Sequence, residues 1–496
     1  MKYISTRGNY EQASAAEAIS LGMVPGGGLF VPKDIPNLDK QEIYKMKDLS
    51  YGEIAYKVLK EFLTDYSSEE LEEIILATYN AEGFSHKDIA PVVKLEDGLY
   101  ILELWHGPTA AFKDMALQLM PHLLVKAVEK SQVDKEILIL VATSGDTGKA
   151  ALEGFKDIDG VKIIVFYPND GVSKVQEAQM LTTDGDNTFV VGVDGNFDDC
   201  QSGVKEIFGD DDFNALIEES GYQFSSANSI NWGRLVPQIV YYFATYAYLL
   251  RDGEIKEGEK INISVPTGNF GNILAAYYAR EMGLPINKFI CASNDNKVLT
   301  DFLESGEYST NREFKKTISP SMDILISSNL ERFLFEMTGH NSQKINGWYG
   351  DLKENGAFKV DEETKEKIKG LFVGEWANEK ETKETIREVY QRYDYLLDTH
   401  TAVGVKAYQD YLEGSSDNTP MVVDSTANPY KFSKSVLEAL EKVEEDNEFR
   451  ILERLSELSG LRVHRGLKGL EDKDIKHNRS ILASQIREGI KDILEI

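Results

Sequence analysis

From about residue 98 the sequence alternates short apolar, β-rich runs with helical patterns, and no other feature limits the fold so strongly. Candidate strands cover residues 100–104, 136–143, 161–167, 189–193, 261–265, 289–293 and 421–424. Helical patterns fill gaps at 114–130, 149–155, 174–181, 198–208, 235–251 and 272–282. Strands that are apolar throughout bury both faces, so the sheets should be largely parallel with helices on both sides. Sheets of this kind bind ligands in the loops leaving the carboxyl ends of their strands. The chemistry is therefore sought in those loops.

The chain has 496 residues, more than one ordinary core, so two or three domains are expected. Residues 1–95 read as a mainly helical unit, interrupted early by the turn Val24-Pro25-Gly26-Gly27-Gly28. Residues 96–430 carry the strand–helix alternation, with a charged, less regular insertion around 300–400, and 431–496 read as helices packed on the outside. The formal net charge of −29 argues against a nucleic-acid surface. It also means that an anionic ligand needs donors placed locally, because the overall field repels it. Cys200 and Cys291 have no second cysteine at metal spacing and read as buried small side chains, so no metal is expected. No apolar run approaches the roughly 20 residues of a membrane span. The first residues lack the basic and apolar segments of a secretory signal, and a cytoplasmic location is expected.

Five loops at expected strand ends carry candidate chemistry. After 261–265 comes Pro266-Thr267-Gly268-Asn269-Phe270-Gly271-Asn272, opening a helix. Its glycines allow close approach, and its amides with the helix start suit a phosphate; a tight ligand-free turn fits it too. After 136–143, Ser144-Gly145-Asp146-Thr147-Gly148 offers hydroxyls and amides to a carboxylate, or simply caps a helix. In Trp105-His106-Gly107-Pro108-Thr109-Ala110-Ala111-Phe112-Lys113, Lys113 enters a helix beside apolar residues. There its neutral amine is favoured and can form a Schiff base; a surface lysine is the alternative. The segment from Ser225 to Arg234 gathers amide and hydroxyl side chains with one guanidinium at the entry to a long helix, suited to an anion or to capping. Last, Asp424-Ser425-Thr426-Ala427 places hydroxyls after the final strand, where one could meet a ring nitrogen or merely make a turn. A lysine, an anion cradle and a hydroxyl-rich loop coincide at strand ends, and that conjunction says more than any one loop.

These residues, in order, resemble the threonine synthases, within the tryptophan-synthase-β-like pyridoxal-phosphate fold. The resemblance spans nearly the whole chain. It includes Tyr3-Ile4-Ser5-Thr6-Arg7-Gly8, Gly27-Gly28-Leu29-Phe30-Val31-Pro32, the lysine motif, Ser144-Gly145-Asp146-Thr147-Gly148, Asn228-Ser229-Ile230-Asn231 through Gln238, Gly268-Asn269-Phe270-Gly271-Asn272 and His400-Thr401-Ala402-Val403-Gly404. It implies a fold-type II α/β enzyme: two open, mostly parallel sheets with flanking helices, plus a mainly helical N-terminal domain.

By the resemblance, Lys113 carries pyridoxal phosphate and acts as the catalytic base. Gly268, Asn269, Phe270, Gly271 and Asn272 hold the cofactor phosphate, and Thr426 faces the pyridine nitrogen. Thr143, Ser144 and Thr147 bind the substrate α-carboxylate, and Ser229 and Arg234 its phosphate. The implied reaction takes O-phospho-L-homoserine and water to L-threonine and phosphate, by γ-elimination and β-addition of water, in a monomer or homodimer. Two positions depart from the pattern: Asp146 stands where many relatives in the wider fold have Asn, and Asn428 where the family has His. Two rivals remain, a threonine or serine dehydratase on the same fold and a catalytically silent ligand-binding relative. The first gives the Ser229–Arg234 segment no phosphate to bind, and the second gives Lys113 no work.

Overall fold

The computed structural model describes residues 1–131, 135–169 and 171–496. In chain order its strands are β1 (Tyr3–Ser5), β2 (Phe30–Pro32), β3 (Val92–Glu96), β4 (Leu99–Glu103), β5 (Glu136–Ala142), β6 (Val161–Pro168), β7 (Thr188–Asp194), β8 (Tyr222–Ser225), β9 (Ile261–Pro266), β10 (Ile286–Ser293), β11 (Glu307–Ser309), β12 (Ala357–Lys359), β13 (Phe372–Trp376), β14 (Met421–Ser425) and β15 (Arg479–Leu482). Six build one sheet in the order β13-β10-β9-β14-β4-β3, parallel except for the antiparallel β3–β4 edge. Five build a second, wholly parallel sheet, β15-β7-β6-β5-β8. β1–β2 and β11–β12 are small antiparallel ribbons. Every residue of β4, β9 and β14 is buried, and so is β5 from Ile137 to Val141, as expected for parallel strands covered on both faces. Cys200 and Cys291 are buried and unpaired. Among the described residues no helix is long and apolar enough to cross a membrane.

Within the two larger sheets, the strands that the sequence does not disclose are the four edges, β3, β13, β8 and β15, and the two small ribbons are undisclosed as well. An edge strand needs no continuous apolar run, because one side of its ladder meets no other strand. These edges redraw the expected boundaries. Position 95 falls inside β3, which pairs with β4, so the sheet begins before it. The 300–400 stretch is more than a decoration, since it supplies β13 to the larger sheet. The 431–496 segment holds β15 besides its helices, paired in parallel with β7. The helix expected over 114–130 is two, Asp114–Leu117 and Met120–Ser131. Pro121 lacks an N–H and sits in the first turn of the second, where none is needed.

The N-terminal unit is built on helices Ala15–Leu21, Lys40–Lys45, Tyr51–Phe62 and Ser68–Thr78, the last two started by capping boxes from Ser50/Glu53 and Ser67/Glu70. It packs on the helix Trp232–Arg251, which is buried from Trp232 to Leu249. Trp232 is the hub, with its ring 5.3 Å from Tyr3, 5.6 Å from Phe62 and 5.6 Å from Tyr278. Arg7 grips Glu331 through two hydrogen bonds of 2.9 Å. Arg332 reaches the Phe30 carbonyl (2.9 Å), Asn329 (2.7 Å) and the Ile230 carbonyl. The N-terminal ribbon is thereby tied to the segment around Ser229. Trp232→Ala removes this hub and is expected to destabilise by about 3–5 kcal/mol, as for other buried aromatics. The urea unfolding midpoint should fall, and amide exchange should quicken first in the Tyr51–Phe62 helix; an unchanged midpoint refutes the assignment.

Candidate active site

Loops from both sheets meet around one cavity of about 920 Å³. The loops after β4, β9 and β14, which are neighbours in the larger sheet, bring Lys113, the 266–272 turn and Thr426. The loops after β5 and β8, neighbours in the smaller sheet, bring Thr143, Ser144 and Thr147 and the segment Asn228 to Arg234. The N-terminal unit closes one side with Val24, Pro25, Gly26 and Gly27.

Lys113 is 8 % exposed. Its Nζ lies 3.2 Å from Ser321 Oγ, 3.4 Å from Asp146 Oδ2 and 4.8 Å from the centre of the Phe112 ring. Burial lowers its pKa; Asp146 opposes that, while Lys431 and Arg234 add to it. The result is an amine more easily deprotonated than a surface lysine. Asp146 opens the helix Asp146–Phe155. Its Oδ1 accepts from Gln176 Nε2 at 2.8 Å and from Lys431 Nζ at 2.9 Å. Burial pushes this carboxyl up, but Lys431 and Lys113 overcome burial and hold it well below the ordinary range.

Two backbone arrays beside the cavity have no protein partners among the described residues. Among the described residues, none of the N–H groups from Gly268 to Asn272 has an acceptor. Gly268 must be glycine, because a Cβ there would come 2.4 Å from the Ser321 carbonyl oxygen. Phe270 has a left-handed φ of 62° and turns the chain into the helix Gly271–Glu281. Its ring leaves the cavity for Phe333 (5.1 Å) and Phe372 (6.0 Å). In the second array Thr143 Oγ1 accepts from Gly145 (3.0 Å) and Gly148 (2.9 Å). That leaves the N–H groups of Ser144, Asp146 and Thr147 without acceptors among the described residues. Free amides at a helix start attract anions.

Arg234 supplies the charge. It is buried, lines the cavity, and donates through Nη1 to the Ala227 carbonyl at 2.8 Å. No carboxylate pairs with it among the described residues, and burial alone lowers its pKa to about 10. A buried guanidinium left without a counter-ion is costly, so the site is built for an anion from outside. Ser229 stands nearby in sequence and accepts from Asn329 Nδ2 at 3.0 Å.

The family models agree with this geometry. Residues 2–79 match "Threonine synthase N terminus", 87–345 match "Pyridoxal-phosphate dependent enzyme" and 401–476 match "Threonine synthase, C-terminal". The chain belongs to the threonine synthase family. The Schizosaccharomyces pombe threonine synthase is 38% identical over 476 residues, covering 90% of this chain and 91% of that protein. Human threonine synthase-like 1 is 42% identical over 443 residues, 87% of this chain, which spans only 58% of that longer relative. Pyridoxal-phosphate-bound threonine synthase from Brucella melitensis superposes with a TM-score of 0.88 at 35% identity, covering 100% of both chains.

Pyridoxal phosphate is accordingly the cofactor of this fold-type II enzyme. The site fits it: Lys113 suits the aldehyde carbon and the five free amides from Gly268 to Asn272 suit the phosphate. Of the residues given binding or catalytic roles from sequence, all line the cavity except Phe270, whose ring packs against Phe333 and Phe372. Sequence reasoning missed Ser321, His400, Gln176 and Lys431. His400 Nε2 accepts the Ser321 N–H at 3.1 Å, and its Nδ1 faces Asp398 at 3.1 Å. The His400-Thr401 motif was the one available sign of it.

Behind Thr426, Asp424 is fully buried and Tyr242 donates to its Oδ2 at 2.7 Å, while Tyr242 also lies 3.0 Å from the Asn272 carbonyl. Burial raises the Asp424 pKa to about 7. The native state therefore prefers the protonated acid. That contribution to stability is fully present below the unfolded value of about 3.9 and is lost as pH rises through the folded value. Compared with Asp424→Asn, the wild type should lose stability between about pH 4 and about pH 7 and level off above that. Urea midpoints across that range check this, and parallel curves for the two proteins would refute it.

Proposed function

We propose that this chain is a threonine synthase that converts O-phospho-L-homoserine and water to L-threonine and phosphate. The observation that carries the reading is Arg234, a buried cation without a protein counter-ion in the cavity that holds Lys113. A substrate with a second anion, beyond its carboxylate, supplies what Arg234 lacks. A dehydratase substrate has no phosphate and leaves Arg234 unpaired.

Pyridoxal phosphate, when bound, supplies an electron sink for charge developing on the substrate α-carbon. The chain's residues do the rest. The amides of Gly268, Asn269, Phe270, Gly271 and Asn272 hold the cofactor phosphate, and the Thr426 hydroxyl faces the pyridine nitrogen. Lys113 anchors the cofactor and, once displaced by the substrate amine, takes the α-proton. Its lowered pKa keeps that amine available as a base. Ser144, Thr147 and their free amides receive the α-carboxylate, with Thr143 fixing the loop that presents them. Ser229 and Arg234 take the substrate phosphate and stabilise it as a β-proton is lost and the phosphate leaves the γ-carbon; the γ-carbon then gains a proton and water adds at the β-carbon.

Incubation with O-phosphohomoserine, assayed for both products, tests the reading: threonine and phosphate should appear together. Phosphate with 2-oxobutanoate and no threonine would identify a lyase instead. Lys113→Ala should abolish turnover yet leave a folded protein that retains the cofactor without a covalent bond, as judged by absorbance and dialysis. Borohydride reduction and peptide mapping of the wild type should label Lys113; a label on Lys149 would overturn the assignment. Arg234→Ala should lower kcat/KM for phosphohomoserine by roughly 2–5 kcal/mol of transition-state stabilisation, as when a buried charge partner is truncated. The cofactor spectrum should hardly change, because the two phosphates use separate loops. Loss of the cofactor with intact substrate kinetics after reconstitution would mean the two anion sites are exchanged.

A further inference from the structure

Lys431 follows β14 in the short 3-10 turn Pro429–Phe432 and has a fully buried side chain. Its ammonium donates to the Thr109 carbonyl at 2.9 Å and lies 2.9 Å from Asp146 Oδ1. Gln176 Nε2 donates to the same oxygen at 2.8 Å. With both donors on Oδ1, Asp146 turns Oδ2 toward Lys113, 3.4 Å away. Without Lys431, the Asp146 carboxylate would stand unscreened beside the Lys113 nitrogen. A buried charge that loses its partner is expensive and shifts the titration of its neighbours.

We infer that Lys431 is a positioning residue for Lys113: its ammonium cancels the charge of Asp146, so that the pair acts beside the Lys113 nitrogen as a neutral, oriented acceptor. The other groups facing this cluster do not replace it. Arg234 is a cation and bonds the Ala227 carbonyl. Asp114 is held by the Thr109 N–H and hydroxyl at 2.8 and 2.7 Å. His400, also at the cavity, bonds Ser321 and Asp398. His464 lies near Lys431, and burial lowers its pKa to about 3, with His106, Arg465 and Lys431 acting in the same direction.

The inference rests on the placement of the cofactor on Lys113 and not on the identity of the substrate. The test is the pH midpoint of the holoenzyme's visible absorption, which follows protonation of the Lys113 nitrogen joined to the cofactor. Lys431→Met leaves Asp146 uncompensated and should raise the midpoint by about one unit or more, the size expected for an opposite charge a few ångströms away. Asp146→Asn leaves Lys431 uncompensated and should lower it. The double variant restores neutrality and should return close to the wild-type value, as should Lys431→Arg, which keeps the charge. A residue that merely braced the fold would move both single variants the same way. Singles shifted in one direction, no shift in either, or a double displaced beyond both singles would overturn the inference. Should Lys431→Met fail to fold, the sign for Asp146→Asn and the value for the double variant still decide it. Borohydride labelling of each holoenzyme separates the two claims. A label elsewhere than Lys113 defeats the cofactor placement, whereas a label on Lys113 without opposed midpoints defeats only the role of Lys431.

Discussion

The active cavity gathers positive charge where it is most expensive to keep. Lys113 lies within the field of Lys431 and Arg234, with Asp146 the carboxylate that touches it, and all four are buried. A chain with a net charge of −29 repels anions at long range, so an anionic ligand needs a local excess of positive charge to hold it. The arrangement separates two tasks. Under the proposed function, the amides of the 268–272 turn, which carry no formal charge, take one phosphate and the guanidinium of Arg234 takes the other. Partial charges on amides cannot be titrated away, whereas a guanidinium adds the strength of a charge-assisted bond.

That excess constrains the fold around it. The lysine loop and the 266–272 turn belong to the larger sheet, whereas Asp146 and Arg234 follow strands of the smaller one. Lys431, on the chain leaving β14, bonds Asp146 across the junction of the two sheets. Ser321 does the same within the larger lobe. It contacts Lys113 through its hydroxyl, meets His400 through its N–H, and its carbonyl oxygen allows only glycine at 268. The cavity is therefore assembled from segments more than 300 residues apart, and its geometry depends on both sheets being complete.

Those distances explain what the sequence disclosed. Lys113, the 268–272 turn and the Ser144 loop each follow a strand whose apolar run is continuous, and the rule that ligands bind at such strand ends located them. The interior strands were legible for the same reason. The four edges were not, because β3 from Val92 to Glu96, β13, where only Phe372 and Gly374 are buried, and the four-residue β8 and β15 carry no continuous buried run. Lys431, Gln176 and Ser321 were hidden differently. Each lies in an unremarkable local sequence, and its meaning comes only from the partner it meets across the fold. Phe270 errs the other way: it sits in the right motif, yet its ring is core.

The fold by itself does not choose a reaction, since many pyridoxal-phosphate enzymes share it. The choice lies in features that the cofactor does not need. A cofactor anchored by Lys113 and the 268–272 amides would be just as well held without Arg234, and a buried guanidinium costs stability in every state that lacks its anion. Here the N-terminal unit adds a second such feature. Its Val24–Gly27 turn closes the cavity on one side, and Arg332 ties the β2 carbonyl of Phe30 to the Ile230 carbonyl beside Ser229. Any ligand that pulls on the Ser229–Arg234 segment therefore also loads the N-terminal ribbon. A site serving only a small, singly charged amino acid would need neither the unpaired cation nor the extra wall, and the two are joined through Arg332, through Asn231, which donates to the Ile19 carbonyl at 3.0 Å, and through Trp232 against Tyr3.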